Sequence, residues 1–405
     1  MRLSHNDHSE CVQSAQPWRR ILRTVLVGTS ASVLLCGLAA CGDNTPSPSL
    51  TQSSAQAQGS YTEKLSGEFA AAGASSQKSA VDALIVGYSA LQPNIAMSYD
   101  PSGSGAGVNT FLTGAVAWAG SDASLSDEQI QSSQAVCLGS TAFEIPVYVS
   151  PIAVAYNLSD YGLNDSSVHM SPSTIAKIFT GKITSWDDPQ LKKENPDIAD
   201  KLPSLEITPV WRSDKSGTTK TFQTYLHHTA PNDWTSEPSE TWPNSLGQGA
   251  KGTPAVTMTI GQAQGTLGYA DFAQVSGLGT VAVGVGSDYV APSPEATAKL
   301  IDESAASSDS LGADGRFVID VNYATQESGV YPIALVSYDI ACPVYKDART
   351  ATYTKQWLTY ALSDAGQKIS QDNAGSAPIP QSLREKMLPV IDSITAASSG
   401  TAAKN

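Results

Sequence analysis

The sequence is short of positive charge. Its 405 residues carry 24 Lys and Arg against 38 Asp and Glu, a formal net charge of −14 with a pI of about 4.7. Nucleic-acid backbones are gripped by basic surfaces, so this balance argues against a nucleic-acid partner. No uninterrupted run of 18 or more apolar residues occurs, which argues against a transmembrane helix. Histidine is scarce, at five, and neither H-E-x-x-H nor a Cys/His spacing suited to zinc is found. Also absent are G-x-x-x-x-G-K-[ST] and a G-x-G-x-x-G opening a βαβ unit. GSGAG at 103–107 lacks the spacing of the G-x-S-x-G nucleophile elbow. A secreted phosphoesterase, which needs a metal cluster or an activated nucleophile, thus has few residues to work with and is kept only as an alternative.

What is present suits a folded protein: 41% hydrophobic and 15% charged residues, in a chain longer than the roughly 250–300 residues of a single core. Near the start, Arg19, Arg20 and Arg23 precede the apolar run VLVGTSASVLLCGLAA, the pattern of a secretory signal. It ends in Leu38-Ala39-Ala40-Cys41, similar to the lipobox of bacterial lipoproteins. The expectation is a leader over 1–41, with Cys41 lipid-acylated as the first mature residue; an ordinary signal cut elsewhere is the alternative. Losing 1–41 removes four basic and two acidic side chains and leaves 20 against 36, net −16, so the acidity belongs to the body. Of the remaining cysteines, Cys137 and Cys342 could form a disulfide in an oxidising compartment or stay as two buried thiols.

Residues 42–60, GDNTPSPSLTQSSAQAQGS, read as a flexible tether, 61–394 as the body and 395–405 as a polar tail. Short apolar strands alternate with helical patterns in the body, which predicts an α/β fold. IPVYVSPIAVAYNL (145–158) and GVYPIALVSYDIAC (329–342) are its longest β-rich runs, each able to carry the chain between lobes. SPSTIAKIFTG (171–181) predicts a helix capped by Ser171, with Pro172 at its first position and Gly181 as terminator. LTYALSDAG (358–366) reads as the end of another.

Three helix starts share a character. Val81, Leu84, Ile85 and Tyr88 fall at helical spacing after Gly73-Ala74-Ser75-Ser76. Val108, Phe111 and Leu112 follow Ser102-Gly103-Ser104-Gly105. Phe222, Tyr225 and Leu226 follow Arg212-Ser213-Asp214-Lys215-Ser216-Gly217-Thr218. Helix N-termini expose unpaired N–H groups and the positive end of the macrodipole; glycine admits a close ligand, and Ser or Thr adds a short donor. Together they form an anion site that needs no positive net charge. The adjacent His227 and His228 read as the exposed C-terminal end of the third helix.

At these loops the sequence resembles the periplasmic-type phosphate-binding proteins, the substrate-binding subunits of the phosphate ABC transporter. The likeness is carried by GSGAGV (103–108), GSDASLSDEQ (120–129), IFTGKITSWDDPQL (178–191), PVWRSDKSGTTKTF (209–222) and GTLGYADFAQ (265–274). It implies a two-lobed α/β fold with a two-strand hinge: 61–152 and 331–394 in one lobe, 153–330 in the other, and the ligand cleft between. It implies inorganic phosphate as ligand, no cofactor, no metal, no enzymatic activity, a monomer, and delivery to membrane permease subunits with their ATPase at the outer face of the cytoplasmic membrane. Ser75 and Ser76 match the first phosphate loop, Ser104 the second, and Asp122 the acceptor carboxylate. Arg212, Ser216, Gly217 and Thr218 match the third loop, and Asp214 the partner of the arginine. The sequence departs from the family pattern at Ser76-Gln77-Lys78 and at Lys215, which is expected to face water. Another tetrahedral oxyanion is the alternative ligand.

Overall fold

Strand β4 (Phe143–Tyr156) is buried at all fourteen residues, as a predominantly apolar strand requires when both faces of a sheet are covered. The computed structural model describes residues 63–306 and 315–397; the leader, Cys41, the tether and the end of the tail lie outside the described residues. The strands preceding β4 are β1 (Gly67–Gly73), β2 (Ile95–Asp100) and β3 (Ala119–Ser121). Those following it in the same sheet are β5 (Val168–Met170), β6 (Thr208–Arg212), β7 (Gln248–Ala250), β8 (Thr266–Asp271), β9 (Gly279–Val285), β10 (Asp288–Val290) and β11 (Ala334–Ala341). They join in the order β2-β1-β3-β11-β4-β8-β6-β7, with β9 also on β4 and carrying β10 and β5.

Two strands cross between two cores. Up to Val149, the core-lining residues of β4 belong to a core with Phe69, Tyr88, Phe111, Trp118 and Trp357. From Ile152, its alternate residues Val154 and Tyr156 enter a second core with Trp186, Phe222, Trp242 and Tyr269. β11 runs antiparallel beside it, from Ala334 opposite Pro151 to Ala341 opposite Phe143. Leu335 lies in the second core, while Val336, Tyr338 and Ile340 lie in the first. This is a two-lobed α/β fold with β4 and β11 as the shared pair. The pairing slips at Ser337–Tyr338, where Tyr148 and Pro146 are the partners. The intervening Val147 carbonyl accepts from Gln367 Nε2 at 2.7 Å. Proline cannot donate to a ladder and is tolerated at such a bulge.

The helices that matter below are α1 (Lys78–Leu91), α2 (Ser104–Leu112), α3 (Asp127–Val136), α4 (Pro172–Phe179), α5 (Gly217–Thr229) and α6 (Gly252–Gln262). α4 has the anticipated start: Ser171 Oγ accepts from Thr174 N, and Pro172 is the first residue. Gly181, at φ +76°, closes its end. Of the apolar stripe expected on α1, Val81, Leu84 and Tyr88 are buried and Ile85 packs partly against them. Three details differ from the sequence reading. The residues before Ala334, including Pro332, are not strand. The helix Ala348–Ala361 gives way at once to another, Asp364–Ala374, whose cap is Ser363, so Gly366 opens a helix instead of ending one. Leu300, Ile301, Phe317, Ile319 and Val321 pack in the first core, although the sequence limits placed 153–330 in the other lobe. Arg316 pairs there with the fully buried Glu144 at 2.7 Å, and Phe317 N donates to the Glu144 carbonyl. Apolar spacing marks a buried face but not which core buries it.

Cys137, ending α3, is disulfide-bonded to Cys342, just past β11, with 5.1 Å between Cα atoms. Both lie in the first core. Closing a loop of 205 residues restricts the unfolded chain strongly, so replacing both cysteines by alanine should lower stability by about 2–5 kcal/mol. Urea unfolding measures this, and adding reductant should lower the parent's stability but not the variant's.

Candidate functional site

Four helix N-termini meet where the lobes face each other. The first loop, Ser75–Gln77, joins β1 to α1. The second enters α2 through Gly103, whose φ of +106° suits only glycine; a Cβ there would lie 2.6 Å from Asp214 Oδ2. The third runs from β6 into α5, where Ser216 Oγ accepts from Thr219 N at 3.2 Å as a regular N-cap. A Cβ at Gly217 would come within 2.6 Å of the Asp122 backbone, so glycine is what lets this loop lie against the other lobe. The fourth, at the start of α6, was not singled out from the sequence.

Asp122, just after β3, is the centre. Ser76 Oγ donates to its Oδ2, Thr218 Oγ1 donates to the same oxygen at 3.1 Å, and Ser337 Oγ donates to Oδ1 at 2.9 Å. Ser104 Oγ accepts from the N–H groups of Asp122 at 3.3 Å and Gly217 at 3.2 Å, linking both sides. Burial pushes the Asp122 carboxyl above its usual range, while the hydroxyls of Ser76, Ser337 and Thr218 and the charge of Arg212 pull the other way.

Arg212 is 2% exposed. Its Nε and Nη2 donate to the two oxygens of Asp214 at 2.8 and 2.6 Å, and Nη1 donates to Thr253 Oγ1 at 3.3 Å. Burial raises the Asp214 carboxyl, but the guanidinium outweighs it and holds the pKa below the usual value. Thr253 N donates to Ser75 Oγ at 2.9 Å, and the two hydroxyls lie 3.2 Å apart.

The structure therefore gathers Ser75, Ser76, Ser104, Asp122, Arg212, Asp214, Ser216, Gly217 and Thr218 into one neighbourhood. Lys215 is exposed, and His227 and His228 sit in the last turn of α5. Gly252, Thr253 and Ser337 were missed. Lys251-Gly252-Thr253-Pro254 carries the same Gly and hydroxyl signal as the other loops; Ser337, inside a buried strand, carries none. Chemically, the arrangement offers hydroxyl, amide and guanidinium donors around one carboxylate acceptor, which suits an oxyanion bearing a proton.

The profile of a PBP superfamily domain matches residues 51–365. The phosphate-binding protein PstS2 of Mycobacterium bovis BCG is 31% identical over 379 residues, covering 91% of this chain and 98% of that one. The chain belongs to the PBP superfamily and, within it, to the PstS family of phosphate-binding proteins. Two solved structures share its fold. The phosphate-binding protein of Stenotrophomonas maltophilia, 20% identical, has a TM-score of 0.59 over 80% of this chain and 94% of its own. The periplasmic phosphate-binding protein PfluDING, solved with bound phosphate, is 19% identical, with a TM-score of 0.61 over 78% and 92%.

A second buried carboxyl lies beside the crossing strands. Asp271 ends β8 opposite Ile152; its Oδ1 accepts from Ala273 N at 3.0 Å, and its Oδ2 has no hydrogen-bond partner among the described residues. Burial, opposed by a Ser150 hydroxyl and reinforced by Asp122, pushes its pKa up to about 7. Because the folded value exceeds the unfolded one near 3.8, the neutral acid's contribution is complete below about pH 4 and is lost as pH rises through about 7. Asp271→Asn should therefore gain stability over the parent at pH 8 compared with pH 5. Thermal melts at the two pH values measure the difference; an equal offset at both would refute the assignment.

Proposed function

We propose that this protein captures inorganic phosphate between its lobes, outside the cytoplasmic membrane, and hands it to the permease of an ABC importer. The observation that carries the reading is Asp122, an acceptor set among donors. Ser75, Ser76, Ser104, Arg212, Ser216, Gly217 and Thr218 supply hydroxyls, helix N-terminal amides and a guanidinium to the anion's oxygens. Asp122 takes the proton that hydrogen phosphate and dihydrogen phosphate carry. Asp214 holds the guanidinium flat and oriented, since two parallel bonds fix the plane of the fork. The names of the relatives support phosphate as the ligand. A lipid anchor at Cys41 and the tether 42–60 would keep the protein near its permease. Among the described residues no helix is long and apolar enough to cross a membrane.

Selectivity follows from the acceptor. An ionised carboxylate only accepts. Sulfate has no proton at neutral pH and would set lone pairs against it. Sites that leave a buried polar group unpaired reject the wrong ligand by roughly 10⁴–10⁵. Asp122→Asn can turn an N–H toward the ligand, so sulfate should gain affinity while phosphate changes much less. The ratio of the two dissociation constants at pH 8 and constant ionic strength measures this; an unchanged ratio removes Asp122 as the selectivity element. Arg212→Lys keeps the charge but not the fork and should weaken phosphate binding by about 1–3 kcal/mol in calorimetry.

A further inference from the structure

The stretch GTLGYADFAQ ends in a residue that meets the oxyanion cradle only through backbone carbonyls. Gln274 closes a short 3-10 turn, Phe272–Gln274, that leaves β8. The turn is capped by Asp271, whose carboxylate accepts from Ala273 N. Phe272 packs against the small core under α6, and Ala273 packs against the first core, so the turn straddles the junction of the lobes. From there the Gln274 Nε2 donates to the carbonyls of Ser75 and Ser76, both at 3.1 Å. Thr253 N, also from beyond the junction, holds Ser75 Oγ.

Four hydrogen bonds thus pin the first loop from outside its own lobe, the Ser75–Thr253 hydroxyl pair included. On its own side the loop is tied by Ala74 N to the Gly120 carbonyl, by the turn from Gln77 N to the Ala74 carbonyl, by Tyr99 Oη to the Ala74 carbonyl and Gln77 Nε2 to the Tyr338 carbonyl, and by Ser76 Oγ to Asp122. None of these bonds reaches the carbonyls of Ser75 and Ser76, which set the two peptide planes. A side-chain amide bonded to consecutive carbonyls fixes both planes, because each carbonyl oxygen prefers the donor near its own plane.

We propose that Gln274 is a positioning residue for phosphate capture. Its amide sets the first loop from the opposite lobe, so that Ser75 and Ser76 reach binding geometry only when the lobes are together. This rests on the phosphate reading above and deepens it: closing the lobes and completing the site become a single event. Gln274 itself makes no contact with the ligand.

The test is a mutant cycle on the whole mature protein. Release of radiolabelled phosphate is timed after a chase with excess unlabelled phosphate, for the parent, Gln274→Met and Gln274→Glu. Methionine keeps the length without a donor, and the glutamate carboxylate has no N–H to give. Each should release phosphate roughly five- to twentyfold faster, the scale of losing one or two hydrogen bonds, with the association rate within about twofold of the parent. In a Ser75→Ala, Ser76→Ala background the same replacements should add less than twofold, because the groups being aimed are gone. Release within twofold of the parent, or an equal effect in both backgrounds, overturns the proposal. A second arm needs no phosphate: amide hydrogen exchange in the peptide spanning 74–81 should be faster in both variants than in the parent, and equal exchange overturns the proposal too. A parent that retains no phosphate would instead refute the phosphate reading, and the exchange arm would still decide the role of Gln274.

Discussion

Burying the guanidinium of Arg212 is the constraint around which the rest of the site is arranged. A cation taken out of water must be paired and its donors must be met, or its desolvation would destabilise the fold by several kcal/mol. The chain answers two residues later with Asp214, across a fork only the planar guanidinium can make. That carboxylate then organises more than its partner. Gly252 N donates to its Oδ1 at 3.0 Å, bringing in the start of α6. Its Oδ2 fills the space beside Gly103, where any side chain would collide. One ion pair thereby fixes the approach of the second and fourth loops as well as the third. The acid–base balance of the protein is turned inward: among the described residues an acidic body carries a single buried cation, and local dipoles do the remaining work.

Much of this was legible in the sequence because it is local. A helix start is written in a few consecutive residues, and a Gly with neighbouring Ser or Thr marks a place where backbone amides are accessible. Ser171-Pro172 at α4 and Ser216-Gly217-Thr218 at α5 could be read that way. The family likeness added which of those starts share a cleft. What was not legible depends on strand pairing. Ser337 reaches Asp122 because β11 lies between β3 and β4, and a serine within SYDIA gives no sign of its register. Leu300 and Ile301 look alike in either lobe until Glu144 and Arg316 tie the following segment to the first. Lys251-Gly252-Thr253-Pro254 could have been found by the argument used for the other loops, since its glycine and hydroxyl precede α6 in the same order.

The shared pair of strands is also polar where it matters. Ser150, Ser337 and Tyr148 lie in the stretch where β4 and β11 pass from one core to the other, and Asp271 stands next to it. A crossing made only of interlocked aliphatic side chains would resist reorganisation, as close-packed cores do. Hydroxyls and an incompletely paired carboxyl can exchange partners with less loss of packing. The slip at Val147, with its carbonyl bonded to Gln367 Nε2, anchors the first-lobe end of the crossing to a helix of its own core.

The disulfide is confined to one side of that crossing. Cys137 and Cys342 are both enclosed by the first core, and residues 153–330 contain no cysteine. Movement of one lobe against the other therefore puts no tension on the covalent bond. It also leaves the second lobe as a blank field for thiol chemistry. A single cysteine introduced on its cleft rim would accept an environment-sensitive fluorophore without competition from its surroundings, turning the protein into a reagentless optical sensor whose oxidised framework stays intact.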